Sequence, residues 1–334
     1  MSDPCASRHH LVYVRAPYGL AEPKLDPAHA SPGAARFQQM NQCLNLLCMA
    51  GVWASWALAS FLAVGMQSVN AVEPWRVIPP TPALPPGTTD RYATVNGARI
   101  WYAEWGERAE SEPVLLLHGG RFNTNYYGYL IPVLIAHRYR VIAMDSRGQG
   151  RSTRPPGPIS YDLMASDVLG LLDNLQVPKV SLVGWSDGGI IAIDLAIRHP
   201  DRLRRLFAFG ANADPAGQIA GADDLPSVVA HTAIEQNEYR ALSPTPEGWN
   251  SLSAAINTMW STLPQFTARQ LHSIRVPTTI ADGQYDEFIK PEHTRYMAAQ
   301  IPGARLVILP RTSHFAMLQD PANFNDAVLR FLAN

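Results

Sequence analysis

The sequence is short of cysteine. Of 334 residues only Cys5, Cys43 and Cys48 are cysteines, and all three precede the body of the chain. A disulfide framework for that body is therefore excluded. An excess of charge of either sign is also missing: 27 Lys and Arg stand against 28 Asp and Glu, a formal net charge of -1. Such a balance offers no electrostatic footprint for nucleic acid. There is no internal repeat, and neither H-E-x-x-H nor paired C-x-x-C occurs, so those signatures of a metal site are absent from the sequence.

One long stretch lacks charge altogether. Residues 43 to 66, "CLNLLCMAGVWASWALASFLAVGM", are apolar or small. Val69-Asn70-Ala71 follows with short side chains at the positions a signal peptidase reads, so cleavage after Ala71 is expected. Residues 1–71 then form an N-terminal extension with an export signal, and the mature chain is periplasmic or secreted. The alternative is a retained membrane anchor, since the run exceeds the ~20 residues that span a bilayer. The polar residues 1 to 39 make an odd preface to a signal, and a start at Met40 would remove them. Residues 72–89, "VEPWRVIPPTPALPPGTT", are proline-rich and expected to be an extended, exposed linker.

From residue 90 to 334 the pattern is that of a folded domain, and 47% hydrophobic residues are enough for a sizeable core. "RYATVNGARIWYAEWG" alternates about Asn96-Gly97, a hairpin signal. Short apolar runs follow at "PVLLLHGG", "YRVIAMDSRGQGRS", "KVSLVGWS", "RLFAFGAN", "PTTIADGQYD" and "ARLVILPRTSH". Helix-like segments separate them; "YDLMASDVLGLLDNLQV" sets Leu163, Val168, Leu171, Leu172 and Leu175 at roughly helical spacing. Apolar strands alternating with helices predict an α/β fold with a mostly parallel sheet covered on both faces. Residues 211–272 interrupt the rhythm with five prolines and helical patches, which predicts an inserted helical cap.

Ligands of such sheets sit beyond the carboxyl ends of the strands. His118, Asp145, Ser186, Asp286 and His314 all fall there. Ser186 lies in Gly184-Trp185-Ser186-Asp187-Gly188, a G-x-S-x-G between strand and helix, which exposes a serine at a sharp turn. His314 is the candidate base and Asp286 the candidate acid that orients it, in the order Ser, Asp, His of this architecture. Asp282 and Asp214 are alternative acids. Gly120 of "HGG" and Asp187, at a helix start, are the expected backbone donors to an oxyanion. His118 is expected to brace its loop, as are Asp145 and Arg147. Arg121, Trp185, Tyr126, Tyr127, Met259 and Trp260 are pocket candidates; for Arg121 a solvent-facing role is the alternative.

With these motifs the chain resembles an α/β-hydrolase from about residue 90 to its end. Further marks are "DSRGQGRS" (Asp145 to Ser152), Gly283 to Asp286, "SHF" and "DPANFNDAVLRFL". It is similar to the branch of bacterial esterases, enol-lactonases and carbon–carbon bond hydrolases with a helical cap. The resemblance implies an eight-stranded, mostly parallel sheet, a Ser-Asp-His triad and no cofactor. Arg121 after "HGG" departs from the iminopeptidase pattern, and serine at position 186 departs from dehalogenases and epoxide hydrolases, which carry aspartate there. The expected activity is hydrolysis of a small carboxylic ester or lactone. The alternatives are carbon–carbon hydrolysis, cofactor-free perhydrolysis, or non-catalytic ligand binding on the same fold. Contact with a membrane is expected only through the apolar N-terminal run.

Overall fold

The apolar runs pair into a single sheet of eight strands. The structure, a computed structural model, describes residues 73–86, 91–106 and 113–333. The cysteines, the apolar run and Ala71 lie outside the described residues. In chain order the strands are β1 (Arg91–Val95), β2 (Ala98–Trp105), β3 (Pro113–Leu117), β4 (Arg140–Met144), β5 (Val180–Trp185), β6 (Leu203–Phe209), β7 (Thr278–Gly283) and β8 (Arg305–Leu309). Their spatial order is β1-β2-β4-β3-β5-β6-β7-β8. The β1–β2 and β2–β4 pairs are antiparallel and the others parallel. This is the α/β-hydrolase fold with its mostly parallel sheet. At the hairpin, Asn96 and Gly97 both take positive φ, 46° and 75°, as a tight primed turn demands.

Every residue of β4, β5 and β7 is buried, because helices cover both faces. Alternate side chains feed two cores, following the two-residue period of a strand. Leu115, Leu117, Ile142 and Met144 enter one; Leu116, Val141 and Ala143 enter the other. The first is closed by α2 (Tyr161–Asn174) and α3 (Asp187–Arg198), the second by α1 (Leu130–Ala136) and the C-terminal helix Pro321–Leu332. Ser160 caps α2 by accepting the Leu163 N–H at 3.2 Å. Met164, Val168, Leu171 and Leu172 form its buried stripe, with Leu163 and Leu175 only half-buried at its margin.

The cap is inserted between β6 and β7 and contains α4 (Pro226–Leu242), α5 (Trp249–Thr262) and α6 (Ala268–Ser273). Trp249, Leu252, Ile256 and Met259 make one buried stripe along α5. Residues 73–86 do not stand off as a linker. Trp75 stacks on Tyr285, Trp105 donates its indole N–H to the Pro85 carbonyl at 3.4 Å, and Ile78 and Leu84 pack against the second core. Apolar side chains interspersed among prolines let the extended chain adhere; reading by composition weighs the prolines and misses those anchors.

The loop after β4 is fixed by buried charge. Arg147 forms a two-pronged ion pair with Asp167 of α2, 2.5 Å on each arm, and Asp167 also accepts the Asn96 amide at 3.0 Å. Removing one partner would strand a buried charge. Asp167→Ala is expected to destabilise the fold by about 3–5 kcal/mol, read as a lowered urea midpoint with unchanged m-value.

Candidate active site

β5 runs into α3 with Ser186 as the only residue between them. Its backbone sits at φ 54°, ψ -120°, a conformation that side-chain-bearing residues rarely adopt. The turn closes because its flanks lack side chains: a Cβ on Gly184 would strike the Gly188 backbone, and one on Gly188 would strike the Leu117 carbonyl. Ser186 is anchored by its own N–H, which donates to the Phe209 carbonyl at 2.8 Å, while its carbonyl accepts from Ile190 at 3.0 Å.

The "HGG" loop after β3 lies directly on this turn. A Cβ on Gly119 would come within 3.1 Å of the Ser186 Cβ, and one on Gly120 would run into the Asp187 carboxylate and the Trp260 ring. The Gly120 backbone thus packs against the side chain of Asp187, the residue that follows the serine. His118 holds the loop from below. The Ser146 N–H donates to its Nε2 at 2.9 Å, so Nδ1 carries the proton given to the Gly119 carbonyl at 2.7 Å. Both ring nitrogens are committed to the loop, and burial lowers the pKa of His118.

Asp286 and His314 meet in the loops after β7 and β8. Asp286 Oδ2 lies 2.6 Å from His314 Nδ1, and its Oδ1 accepts the N–H groups of Phe288 and Ile289 at 2.7 and 2.8 Å. The Nδ1 contact leaves Nε2 as the ring nitrogen that Asp286 does not engage. Gly210 brings the two halves together. It follows Phe209, which holds Ser186, and a Cβ on it would press within 2.8 Å of the His314 ring. Burial alone would raise the Asp286 pKa, but the His314 charge and hydrogen bond hold it below the usual carboxylate range. Burial opposes the His314 cation, and the Asp286 charge and hydrogen bond prevail, raising the histidine above its ordinary 6.5.

The alternative acids lie elsewhere. Asp214 acts on His293, not His314. Asp282 accepts the Gly283 N–H at 2.9 Å and pairs with Thr294 at 2.5 Å. Burial and the adjacent Asp286 charge push its carboxyl well above its ordinary value. Asp145 accepts from the Thr124 and Arg151 N–H groups, each at 2.8 Å, and braces the neighbouring loops.

The pocket candidates divide. Trp185 stacks on Phe122 at 4.6 Å and lies near His314, and Tyr126 joins the same aromatic wall. Trp260 reaches the site, donating its indole N–H to Asp187 Oδ1 at 2.8 Å. Tyr127 lies in the same core as Trp185 and Tyr126, donating to the Leu117 carbonyl at 2.9 Å, and Met259 lies in the other. Arg121 does not face solvent. Its guanidinium lies 4.7 Å over Trp260, and its Nε is 3.4 Å from Glu235. The sequence reading did not single out Glu235, His231 or Glu287. The first two lie one helical turn apart on α4, a spacing visible in the sequence but without meaning until the cap is docked. His231 Nε2 meets Tyr126 Oη at 2.9 Å, and Glu287 accepts the His314 N–H at 3.0 Å.

Two carboxylates colour the site. Burial pushes Asp187 up to about 6 against the hydrogen bonds from Tyr161 and Trp260, and its Oδ2 has no hydrogen-bond partner. Burial pushes Glu235 up to about 7 despite Arg121.

Fold and site together define a hydrolase. Residues 114–327 match the alpha/beta hydrolase family, and the chain belongs to it. The serine hydrolase BPHL of Mus musculus is 30% identical over 259 residues, covering 73% of this chain and 86% of that protein. The 2-hydroxy-6-oxo-6-phenylhexa-2,4-dienoate hydrolase of Burkholderia cepacia is 26% identical, with 75% and 99% covered. The enol-lactonase of Burkholderia xenovorans LB400 shares the fold at TM-score 0.59 and 24% identity, with 73% and 100% covered.

A base must be neutral to take a proton, so a raised His314 pKa loses activity early on acidification. The acid limb of kcat/KM is expected to have its midpoint above 6.5. Asp286→Asn is expected to lower kcat by at least about 10³ by favouring the wrong tautomer, and Asp214→Asn to leave it near wild type. Steady-state rates across pH read both.

Proposed function

We propose that this hydrolase cleaves a small carboxylic ester or lactone through an acyl-enzyme on Ser186. The observation that carries the reading is the 2.6 Å Asp286–His314 contact set beside a serine on a strained turn. His314 takes the Ser186 proton as Oγ attacks the carbonyl. Asp286 fixes the imidazole tautomer and stabilises its cation. The N–H groups of Gly120 and Asp187 hold the tetrahedral oxyanion, and the alcohol leaves with the proton from His314. Water activated by His314 then attacks the acyl-enzyme and releases the acid.

The electrostatics favour an ester over a dienoate. A substrate carboxylate near Ser186 would face Asp187, whose Oδ2 has no hydrogen-bond partner, while the guanidinium of Arg121 is already set against Glu235 and the Trp260 ring. An unpaired anion buried beside another is costly. A neutral carbonyl compound avoids that repulsion, and a hydrogen-bond donor near the scissile group would engage Oδ2. The aromatic wall of Trp185, Phe122, Tyr126 and Phe315 suits an apolar remainder.

Ester hydrolysis without added metal or nucleotide is the expected result with a panel of esters, lactones, amides and vinylogous diketones, products being read by mass. A serine-directed phosphonate is expected to block turnover and label Ser186, and Ser186→Ala to lose at least about 10³ in kcat while staying folded. Cleavage confined to the diketones would replace the ester reading by carbon–carbon hydrolysis. Tight ligand binding with negligible turnover would replace it by a binding protein.

A further inference from the structure

We propose that the proline-rich strap of residues 73–86 belongs to the catalytic apparatus, with Trp75 a positioning residue that clamps the loops of Asp286 and His314. The inference rests on the serine-hydrolase reading of Ser186.

The clamp is a chain of contacts. The Trp75 ring stacks on Tyr285 with centroids 4.1 Å apart and planes 16° from parallel. Tyr285 directly precedes Asp286, and its N–H donates to the Thr312 carbonyl at 2.9 Å, joining the acid loop to the histidine loop. The strap backbone reaches the histidine loop by a second route. The Gln319 amide lies 3.2 Å from the Trp75 carbonyl, 3.1 Å from that of Val77 and 3.0 Å from Ser313 Oγ. Gln319 Oε1 accepts the Ser313 N–H at 2.7 Å, and Ser313 Oγ donates to Glu287 at 3.2 Å. Ser313 and Glu287 are the chain neighbours of His314 and Asp286. The strap therefore grips the pair from both sides.

Its far end packs on the body: a Cβ on Gly128 would strike the Ala83 carbonyl and the Pro82 ring, and the Pro85 carbonyl accepts the Trp105 indole N–H at 3.4 Å. Proline suits this path: it holds the strap extended and brings few N–H groups that need partners. A strap that only filled surface would have no reason to touch both catalytic loops within fourteen residues.

The charged groups facing His314 are Asp286, Glu287 and Asp187, with Asp282 behind Asp286. The ring partner of Trp75 is the uncharged Tyr285. A change in the titration of His314 on loss of the indole therefore reports loop geometry.

The test uses the full chain, an ester found by the panel, and phosphonate titration to count active sites. Trp75→Ala is expected to lower kcat per titrated site about five- to tenfold, since small misplacements of a catalytic pair are costly. KM should stay within about twofold, and the acid limb of kcat/KM should move to lower pH as Asp286 loosens its hold on the imidazole. Trp75→Phe should restore most of kcat and the position of the limb. Wild-type kcat and limb in Trp75→Ala, a loss accounted for by fewer titratable sites, or no recovery in Trp75→Phe would overturn the clamp. A wild-type chain that takes no label at Ser186 would overturn the serine reading and this one with it.

Discussion

The site hangs on the backbone conformation of one residue. Ser186 can hold φ 54° only because β5 and α3 approach each other through Gly184 and Gly188. The same approach points the start of α3 at the serine and lays the loop of Gly119 and Gly120 against its Cβ. A strained residue of this kind costs on the order of 1–3 kcal/mol, so the surroundings must over-determine it. They do: the Ser186 N–H is tied to Phe209, β5 is buried between β3 and β6, and no residue of it is exposed.

The motif from Asp145 to Ser152 supports that turn from a distance. Asp145, with no exposed surface, gathers the N–H groups of Thr124 and Arg151, and Arg151 also stacks over Trp101 at 4.3 Å. Gln149 accepts the Arg121 N–H at 2.5 Å, which fixes the residue after Gly120. The glycines of the loop after β3 are thereby held by a polar network, with His118 as its other post. A loop held at each end by buried hydrogen bonds needs little reorganisation when charge develops beside it.

Much of this was legible in the sequence, for a physical reason. Apolar runs ending in glycine, serine or aspartate mark the carboxyl ends of strands, and those ends are where a parallel sheet gathers its chemistry. Ser186, Asp286 and His314 could therefore be placed before any coordinates. The cap was legible as a break in the alternation. What escaped depends on partners distant in the chain. Arg121 reads as a lone cation until Glu235 of the cap docks on it. Tyr127 and Met259 read as pocket residues until the faces they present are known. The strap reads as a linker because its prolines are local, whereas Tyr285, the partner of Trp75, is two hundred residues away.

The cap enters and leaves the body between β6 and β7, which are neighbouring parallel strands. A backbone hydrogen bond from the Phe266 N–H to the Ala213 carbonyl, 2.8 Å, holds the two ends of the insertion close together. Closing so long an excursion therefore adds little entropy cost with each further residue, about (3/2)RT times the logarithm of its length. The covering segment can lengthen, shorten or be exchanged for another while every register in the sheet stays as it is. The cap and the loops at the strand ends are in this way separately replaceable stretches of chain, joined where Trp260 reaches Asp187 and Glu235 reaches Arg121.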